Sequence, residues 1–287
     1  MTDASSPFVP VSRLSYRNAE LSAGMRSVPE EVPIAVSYSG SSHAVMMGTP
    51  NDLEDFAIGF SLTEGIIGNV NEIASIEVVE TKLGIDIQLF LTDDVTQAMR
   101  ARKRSMAGPV GCGLCGVESI EQAVRQVPDV SASSLVLTGD DLARAVSLLD
   151  AAQRLHHETR AVHGAGFYVP GDGLLAARED VGRHNALDKL CGAVMRIGNC
   201  GRDGAVVVTS RISVEMVQKS AILGSPVLIA ISAPTALAVR TADAAGMTLI
   251  GLVRDSDYEV FTGKDRVSIT RPLSADHRLK VETTLVD

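Results

Sequence analysis

Ordered alternation of apolar and polar positions begins near Glu31. Val32–Tyr38 and residues 43–47 have the two-residue period of strands, joined by the turn-forming Ser39, Gly40, Ser41 and Ser42. From Asp52 to Gly65 the period lengthens to that of a helix. Leu53, Phe56, Ala57, Phe60 and Leu62 form its apolar face, and Asp52 is placed to cap it. Residues 73–79 and Ile85–Leu91 return to the strand period and predict a hairpin. The first 30 residues, rich in Ser, Pro and charge, have no clear period and read as a loose arm or edge strand. The chain thus divides into an arm (1–30) and a small α+β domain (31–104).

Residues 105–134 form a connector whose first part follows neither period. Gly108, Pro109, Gly111, Gly113 and Gly116 crowd around Cys112 and Cys115, which predicts a loop with no fixed shape. Residues 117–124 look helical. A long helix opens at Gly139 and reaches about Arg160. Strands at 162–169 and 174–179 follow, then helix 183–197, strand 205–209, helix 213–223, strand 227–231, helix 235–245 and strand 247–254. Buried strands alternating with helices predict a layered α/β domain over 135–287, with a largely parallel sheet.

That order resembles the cytidine-deaminase fold, in which His-x-Glu opens one helix and Pro-Cys-x-x-Cys the next. The corresponding turns here read Arg183-His184-Asn185-Ala186 and Ser210-Arg211-Ile212-Ser213. The acid/base Glu and both Cys ligands are absent. The expectation is therefore a deaminase-like α/β domain without its zinc site, carrying no metal of its own.

Composition narrows the function classes. With 287 residues and 45% hydrophobic content the chain can bury two cores, and 3% aromatic residues with no Trp require aliphatic layers. A formal charge of −9 argues against general nucleic-acid binding. No apolar run is long enough for a membrane span, so a cytoplasmic location is expected. Four cysteines in a chain of this size are too few for a secreted disulfide framework, and a tight pair among them points to chemistry in a reducing compartment.

The pair Cys112 and Cys115 suits redox exchange, zinc binding or persulfide transfer, all of which need accessible thiolates. A helix starting just after Cys115 would help to lower a thiol pKa. A structural zinc site wants four ligands. The remaining cysteines, Cys191 and Cys200, are separated by eight residues, and Cys191 sits at an apolar helix position that reads as core.

Three strand-to-helix turns suit an anion: Asp180 to Asn185, Thr209 to Ser213, and Ser232 to Thr235. Helix-start N–H groups, hydroxyls and the side chains of Arg183, His184, Ser210, Arg211 and Arg254 would make a phosphate-binding surface at the carboxyl edge of the sheet. Neither a dinucleotide-fold glycine fingerprint nor a Walker sequence is present. His163 reads as a hydrogen-bonded strand residue, His156 and His157 as solvated, and Lys189 and Lys219 as packing or salt-bridge residues. Asp180 and Glu215 are as well suited to pairing with Arg or Lys as to proton chemistry.

Taken together, these segments resemble the FdhD/NarQ family of formate dehydrogenase accessory proteins. They include Val28 to Pro33, Thr49 to Leu53, Gly59-Phe60, Thr63 to Ile67 and the Cys112–Cys115 loop. Further on come His163 to Ala165, Glu179 to Lys189, Ser210 to Ser213 and Ser232 to Thr235, in family order. The resemblance implies a sulfurtransferase: a cysteine desulfurase loads a persulfide on Cys112, with Cys115 as partner. The sulfur then passes to the molybdenum bis-guanine-dinucleotide cofactor, a bound substrate, before that cofactor enters formate dehydrogenase. It also places cofactor binding on Leu252, Val253, Arg254, Asp255, Ser256 and Asp257.

Partners implied are therefore the desulfurase, formate dehydrogenase and the cofactor, with no nucleic acid or membrane, and a homodimer is compatible. One departure stands out: the family's Thr-Gly-Gly run before the histidine is replaced by Thr159-Arg160-Ala161-Val162-His163. A zinc-binding module and a cofactor chaperone without sulfur transfer remain the alternatives from other classes.

Overall fold

The computed structural model describes residues 6–96, 127–198 and 201–268. Its first elements are β1 (Phe8–Arg17) and β2 (Glu20–Pro29), paired antiparallel from Phe8 opposite Pro29 to Arg17 opposite Glu20. Asn18 and Ala19 close them with φ of 51° and 63°. Two successive left-handed residues are what a two-residue hairpin of the favoured twist needs. A regular hairpin therefore stands where the polarity pattern suggested a loose arm or edge strand.

The strands β3 (Val32–Tyr38), β4 (Ser41–Gly48), β5 (Ile73–Glu80) and β6 (Ile85–Leu91) form a sheet in the order β4-β3-β6-β5. One face, with Ile34, Val36, Ile87 and Leu89, packs on Phe56 and Phe60 of α1 (Leu53–Thr63). Nine of the eleven α1 residues are buried, more than one amphipathic face accounts for, because a second helix covers the opposite side. Asp52 does not cap α1 with its side chain. It lies in the left-handed region at φ 51°, and its carboxylate accepts from Asn51 Nδ2 at 2.6 Å.

The remainder runs β7 (Leu137–Thr138), α2 (Gly139–Ala152), α3 (Arg154–Thr159), β8 (His163–Val169), β9 (Gly173–Asp180), α4 (Arg183–Arg196) and β10 (Ala205–Val208). Then come α5 (Val214–Leu223), β11 (Val227–Ala230), α6 (Ala236–Ala244), β12 (Thr248–Arg254), β13 (Asp257–Thr262) and β14 (Val267–Ser268). Six strands make one sheet in the order β13-β12-β11-β10-β8-β9. The three central strands β10, β11 and β12 are parallel, and an antiparallel strand joins them on each side. The sheet is thus mixed rather than largely parallel, and β13, an edge strand rich in charge, adds to the predicted set. Val206, Val208, Leu228 and Ala230 face α4, α5 and α6, while Val207, Val227 and Ile229 face α2, which is why these strands read as unbroken apolar runs.

The long helix expected from Gly139 to Arg160 is two helices. Thr138 and Asp141 form a capping box at the start of α2, and the chain leaves helical geometry at Gln153. The break lets the Glu179 carboxylate on β9 accept from the N–H groups of Leu155 and His156, at 2.9 and 2.7 Å, and so cap α3. Arg160 then ends α3 at φ 59°.

The two sheets are joined through α1 and α4, whose backbones touch. A Cβ on Gly59 would stand 1.7 Å from the Asp188 carbonyl oxygen, and one on Gly192 would stand 1.9 Å from that of Asp55. Only glycine fits at either point. Asp55 then accepts from Arg178 Nε at 2.7 Å and Arg196 Nη1 at 2.9 Å, tying α1 to β9 and α4. Among the described residues no helix is long and apolar enough to cross a membrane.

Candidate functional site

The stretch from Asp180 to Lys189 carries β9 into α4, and its inward-facing members are saturated with partners. The fully buried Asp180 carboxylate accepts from Thr49 N at 3.0 Å, Gly182 N at 2.7 Å and Asn185 Nδ2 at 3.0 Å, and pairs with Lys189 Nζ at 2.7 Å. Lys189 also donates to the Thr49 carbonyl at 2.9 Å and to Asn51 Oδ1 at 3.2 Å. Burial draws the Lys189 pKa below its usual value, with the Asp180 carboxylate opposing that shift.

One turn on, Lys219 of α5 reaches the Asp188 carboxylate at 2.8 and 3.0 Å and Thr63 Oγ1 at 2.9 Å. Burial pushes Asp188 up. On Lys219 burial is the largest single influence and works downward, but the Asp188 and Glu64 carboxylates together hold the ammonium above its usual value. The structural reading of both lysines matches this geometry. These are framework pairs, stable only because every charge finds donors or acceptors in a dry interior.

The outward side of the same turn is different. Arg183 and His184 open α4, and its N-cap, Gly182, offers no side chain to the helix. Arg183 Nε is buried without an acceptor among the described residues. His184 Nε2 lies 2.9 Å from Glu215 Oε2 in the first turn of α5, so the partner of Glu215 is a histidine, neither the Arg nor the Lys weighed from the sequence. Half-buried His163, at the start of β8, sits opposite Asp180. Burial lowers the pKa of both histidines; Arg183 lowers them further, while Asp180 raises His163 and Glu215 raises His184. The site can therefore hold two neutral imidazoles beside a guanidinium. No spacing in the sequence reveals the His184–Glu215 pair, because it depends on two helix starts that are 31 residues apart.

The other turns fall on the same sheet edge. Ser210 is buried and its hydroxyl donates to the Arg211 carbonyl at 3.1 Å, while Arg211 itself is exposed. At the start of α5 the Ser213 hydroxyl turns to Glu215 Oε2 at 3.1 Å and leaves the helix without a side-chain cap. The start of α6 is closed instead: Thr235 caps it by accepting from Ala238 N at 3.2 Å and spends its own N–H on the Ile212 carbonyl at 2.9 Å. Two of the three predicted helix starts, those of α4 and α5, thus keep N–H groups that no side-chain cap takes up.

Leu252 to Asp257 form the end of β12 and the turn into β13. Leu252 and Asp255 take φ of 55° and 52°, an unfavourable region for a branched side chain such as Leu252. The Leu252 N–H is held by the Ser232 carbonyl at 3.3 Å. Arg254, Asp255, Ser256 and Asp257 are exposed, and Leu252, Ser256 and Asp257 line a shallow open depression with Tyr258 and Glu259. Val253 points into the core, so only its backbone faces outward chemistry. Given the strand order, Arg183 and Arg254 stand about four strand spacings apart, roughly 19 Å, with Arg211 between them. The structure brings the predicted anion residues onto one edge as a row, not into one pocket.

Cys112 and Cys115 lie outside the described residues. Cys191 is buried, and burial pushes its thiol well up, which keeps it protonated and unreactive.

Comparison with known proteins adds a second line of observation. The family model described as FdhD/NarQ matches residues 29–268. A curated relative from Agrobacterium fabrum, named sulfur carrier protein FdhD, is 63% identical over 257 residues, covering 90% of this chain and 95% of its own. A relative of the same name from Brucella abortus is 56% identical over 257 residues, covering 90% and 96%. A crystal structure from Desulfotalea psychrophila, provisionally described as a formate dehydrogenase accessory protein, shares the fold with a TM-score of 0.72 at 24% identity. It covers 92% of this chain and 100% of that one.

Proposed function

The chain belongs to the FdhD/NarQ family, and on that premise we propose that it is a sulfur carrier serving the maturation of formate dehydrogenase. The carrier residue is Cys112. Its thiolate attacks the terminal sulfur of a persulfide on a cysteine desulfurase, the donor cysteine leaves as a thiolate, and Cys112 holds the transferred sulfur. Delivery as sulfide needs two electrons. Cys115 supplies them by attacking the Cys112 sulfur: a Cys112–Cys115 disulfide forms, hydrosulfide departs, and a cellular dithiol later reduces the disulfide.

The acceptor is the molybdenum bis-guanine-dinucleotide cofactor, held as substrate at the carboxyl edge of the six-stranded sheet. The observation that carries this placement is the row of outward groups along that edge. Among the described residues Arg183 Nε has no acceptor and the starts of α4 and α5 carry no side-chain cap, and the strained turn at Leu252 to Asp257 lies at the far end. A row about 19 Å long suits an extended dinucleotide better than a compact anion. Arg183, His184, Ser210 and Arg211 would take one end of the ligand, and Leu252 to Asp257 the other. The neutral form of His184 leaves its ring able to accept as well as donate, while Arg183 supplies fixed charge.

The test is activation of formate dehydrogenase in a strain whose own copy of the chain is replaced by Cys112→Ala. Loss of activity with normal levels of folded protein is expected. Full activity would remove the carrier role and leave a cofactor chaperone.

A further inference from the structure

Glu215 is an acid in a row of groups otherwise suited to anions. It takes the second position of α5 and His184 takes the second position of α4, so the pair joins two helix starts that flank β10 in the chain. A carboxylate in the first turn of a helix complements the macrodipole wherever its side chain points. That accounts for an acid at this position, but not for what it touches. Both contacts of Glu215 fall on one oxygen: Oε2 lies 2.9 Å from His184 Nε2 and accepts from the Ser213 hydroxyl at 3.1 Å. Ser213 is the N-cap of α5 and makes this bond instead of one to its own helix. Lys219, one turn further on, stands at the spacing that ordinarily pairs with a Glu, but it is drawn to Asp188 and Thr63. The carboxylate is left to the histidine.

His184 Nε2 is buried, although the side chain as a whole is 35% exposed. A ring nitrogen held against a carboxylate oxygen carries the proton, because a lone pair there would face negative charge. In the neutral ring the lone pair then sits on Nδ1. A phosphate oxygen gains nothing from that lone pair, since both are acceptors.

We propose that Glu215 is a positioning residue, which fixes the His184 ring so that Nδ1 presents an acceptor to the outer site. This end of the row then recognises a hydrogen-bond donor of the bound nucleoside, a sugar hydroxyl or a base N–H, and the phosphates go to Arg183 and Arg211. An acceptor beside two arginines supplies a specificity that charge alone does not, because it favours a nucleotide over a bare diphosphate. The inference rests on the placement of the cofactor at this sheet edge, which it deepens.

Calorimetry on the full chain with two probes, GDP and inorganic pyrophosphate, tests it. Glu215→Met keeps the length of the side chain and removes the carboxylate. GDP should bind this variant about fivefold to tenfold more weakly than wild type, whereas pyrophosphate should bind as well or more tightly, because a negative charge has left its surroundings. His184→Ala should weaken GDP by a similar factor, and the double variant should be no worse than either single one, as expected of two residues that act as a unit. A GDP affinity that holds or rises in Glu215→Met, a pyrophosphate affinity that falls with it, or losses that multiply in the double variant would overturn the proposal.

Titration of His184 by NMR reads the pair without a ligand. The other charged or titratable groups that act on the ring are Arg183 and Asp188 of α4, Lys219 of α5 and His163 of β8, and all of them remain in Glu215→Met. Glu215 raises the His184 pKa, so its removal should lower the midpoint, and an unchanged midpoint would show that the pair does not form. If wild type binds neither probe, the cofactor placement fails and the recognition role with it. A lowered midpoint in Glu215→Met would then locate the failure in the placement and not in the pair.

Discussion

The inner and outer sides of the turn from Asp180 to Lys189 are made from one continuous stretch, yet they obey opposite rules. On the inner side Asp180, Asn185, Asp188 and Lys189 are buried and every charge is met by a donor or acceptor. On the outer side Arg183 Nε has no acceptor among the described residues and His184 is held only by the half-exposed Glu215, at a helix start with no side-chain cap. A polar cluster that is fully satisfied fixes geometry and has nothing left to offer a ligand. One that is incompletely satisfied, at a rigid position, is where a ligand can be recognised. The inner half therefore serves stability, and recognition is left to the outer half.

The sharpest way to break this division is Lys189→Met, which strands the buried Asp180 carboxylate. A loss of about 3 to 5 kcal/mol is expected, read as a lowered thermal midpoint. The protein that remains folded should bind GDP with unchanged affinity. Gly59→Ala comes next: its methyl group would collide with the Asp188 backbone, and separation of α1 from α4 should cost about 3 kcal/mol by chemical denaturation.

Outer-side variants should do the reverse. Arg183→Ala should weaken GDP binding about tenfold by calorimetry, with a melting midpoint close to that of wild type. Acidification sharpens the contrast. The lowered pKa values of His163 and His184 mean that both are neutral at pH 7 and gain charge only as pH falls through those lowered values. Affinity for the phosphates should therefore rise on acidification, and less so in His184→Gln. The stability these two histidines contribute is present above about pH 6.5, the ordinary histidine value, and is lost as pH falls through their folded values. The smallest effect is at Arg160, which holds φ 59° where the family resemblance leads one to expect glycine. Arg160→Gly should stabilise the chain by about 1 kcal/mol in a denaturant titration, with no change at the outer site.

What could be read from the residues follows from the range of the interactions involved. The strands Val32–Tyr38 and Ile85–Leu91, helix α4 and the parallel run β10 to β12 were legible because local periodicity and burial agree there. The hairpin β1–β2 was not, because its turn is Asn18-Ala19 rather than Asn-Gly and its apolar face is exposed, so neither usual signal is present. The break at Gln153 was hidden because its cause is Glu179 on another strand. At the candidate site the three turns and their arginines were visible as strand-to-helix junctions. That Thr235 closes one helix start while Glu215 and His184 meet at the others depends on contacts between elements distant in the chain. Gly59 and Gly192 gave no local sign of their role, since what excludes a side chain at each is the backbone of the opposing helix.

The central claim is that Cys112 carries sulfur. Incubation of the full chain with a cysteine desulfurase and cysteine, followed by mass spectrometry of the intact protein and of the Cys112 peptide, tests it most directly. The account predicts an added mass of about 32 Da, one sulfur atom, on the Cys112 peptide, removed by a thiol reductant and absent in Cys112→Ala. An unmodified Cys112 in wild type, or the same adduct in Cys112→Ala, would contradict it.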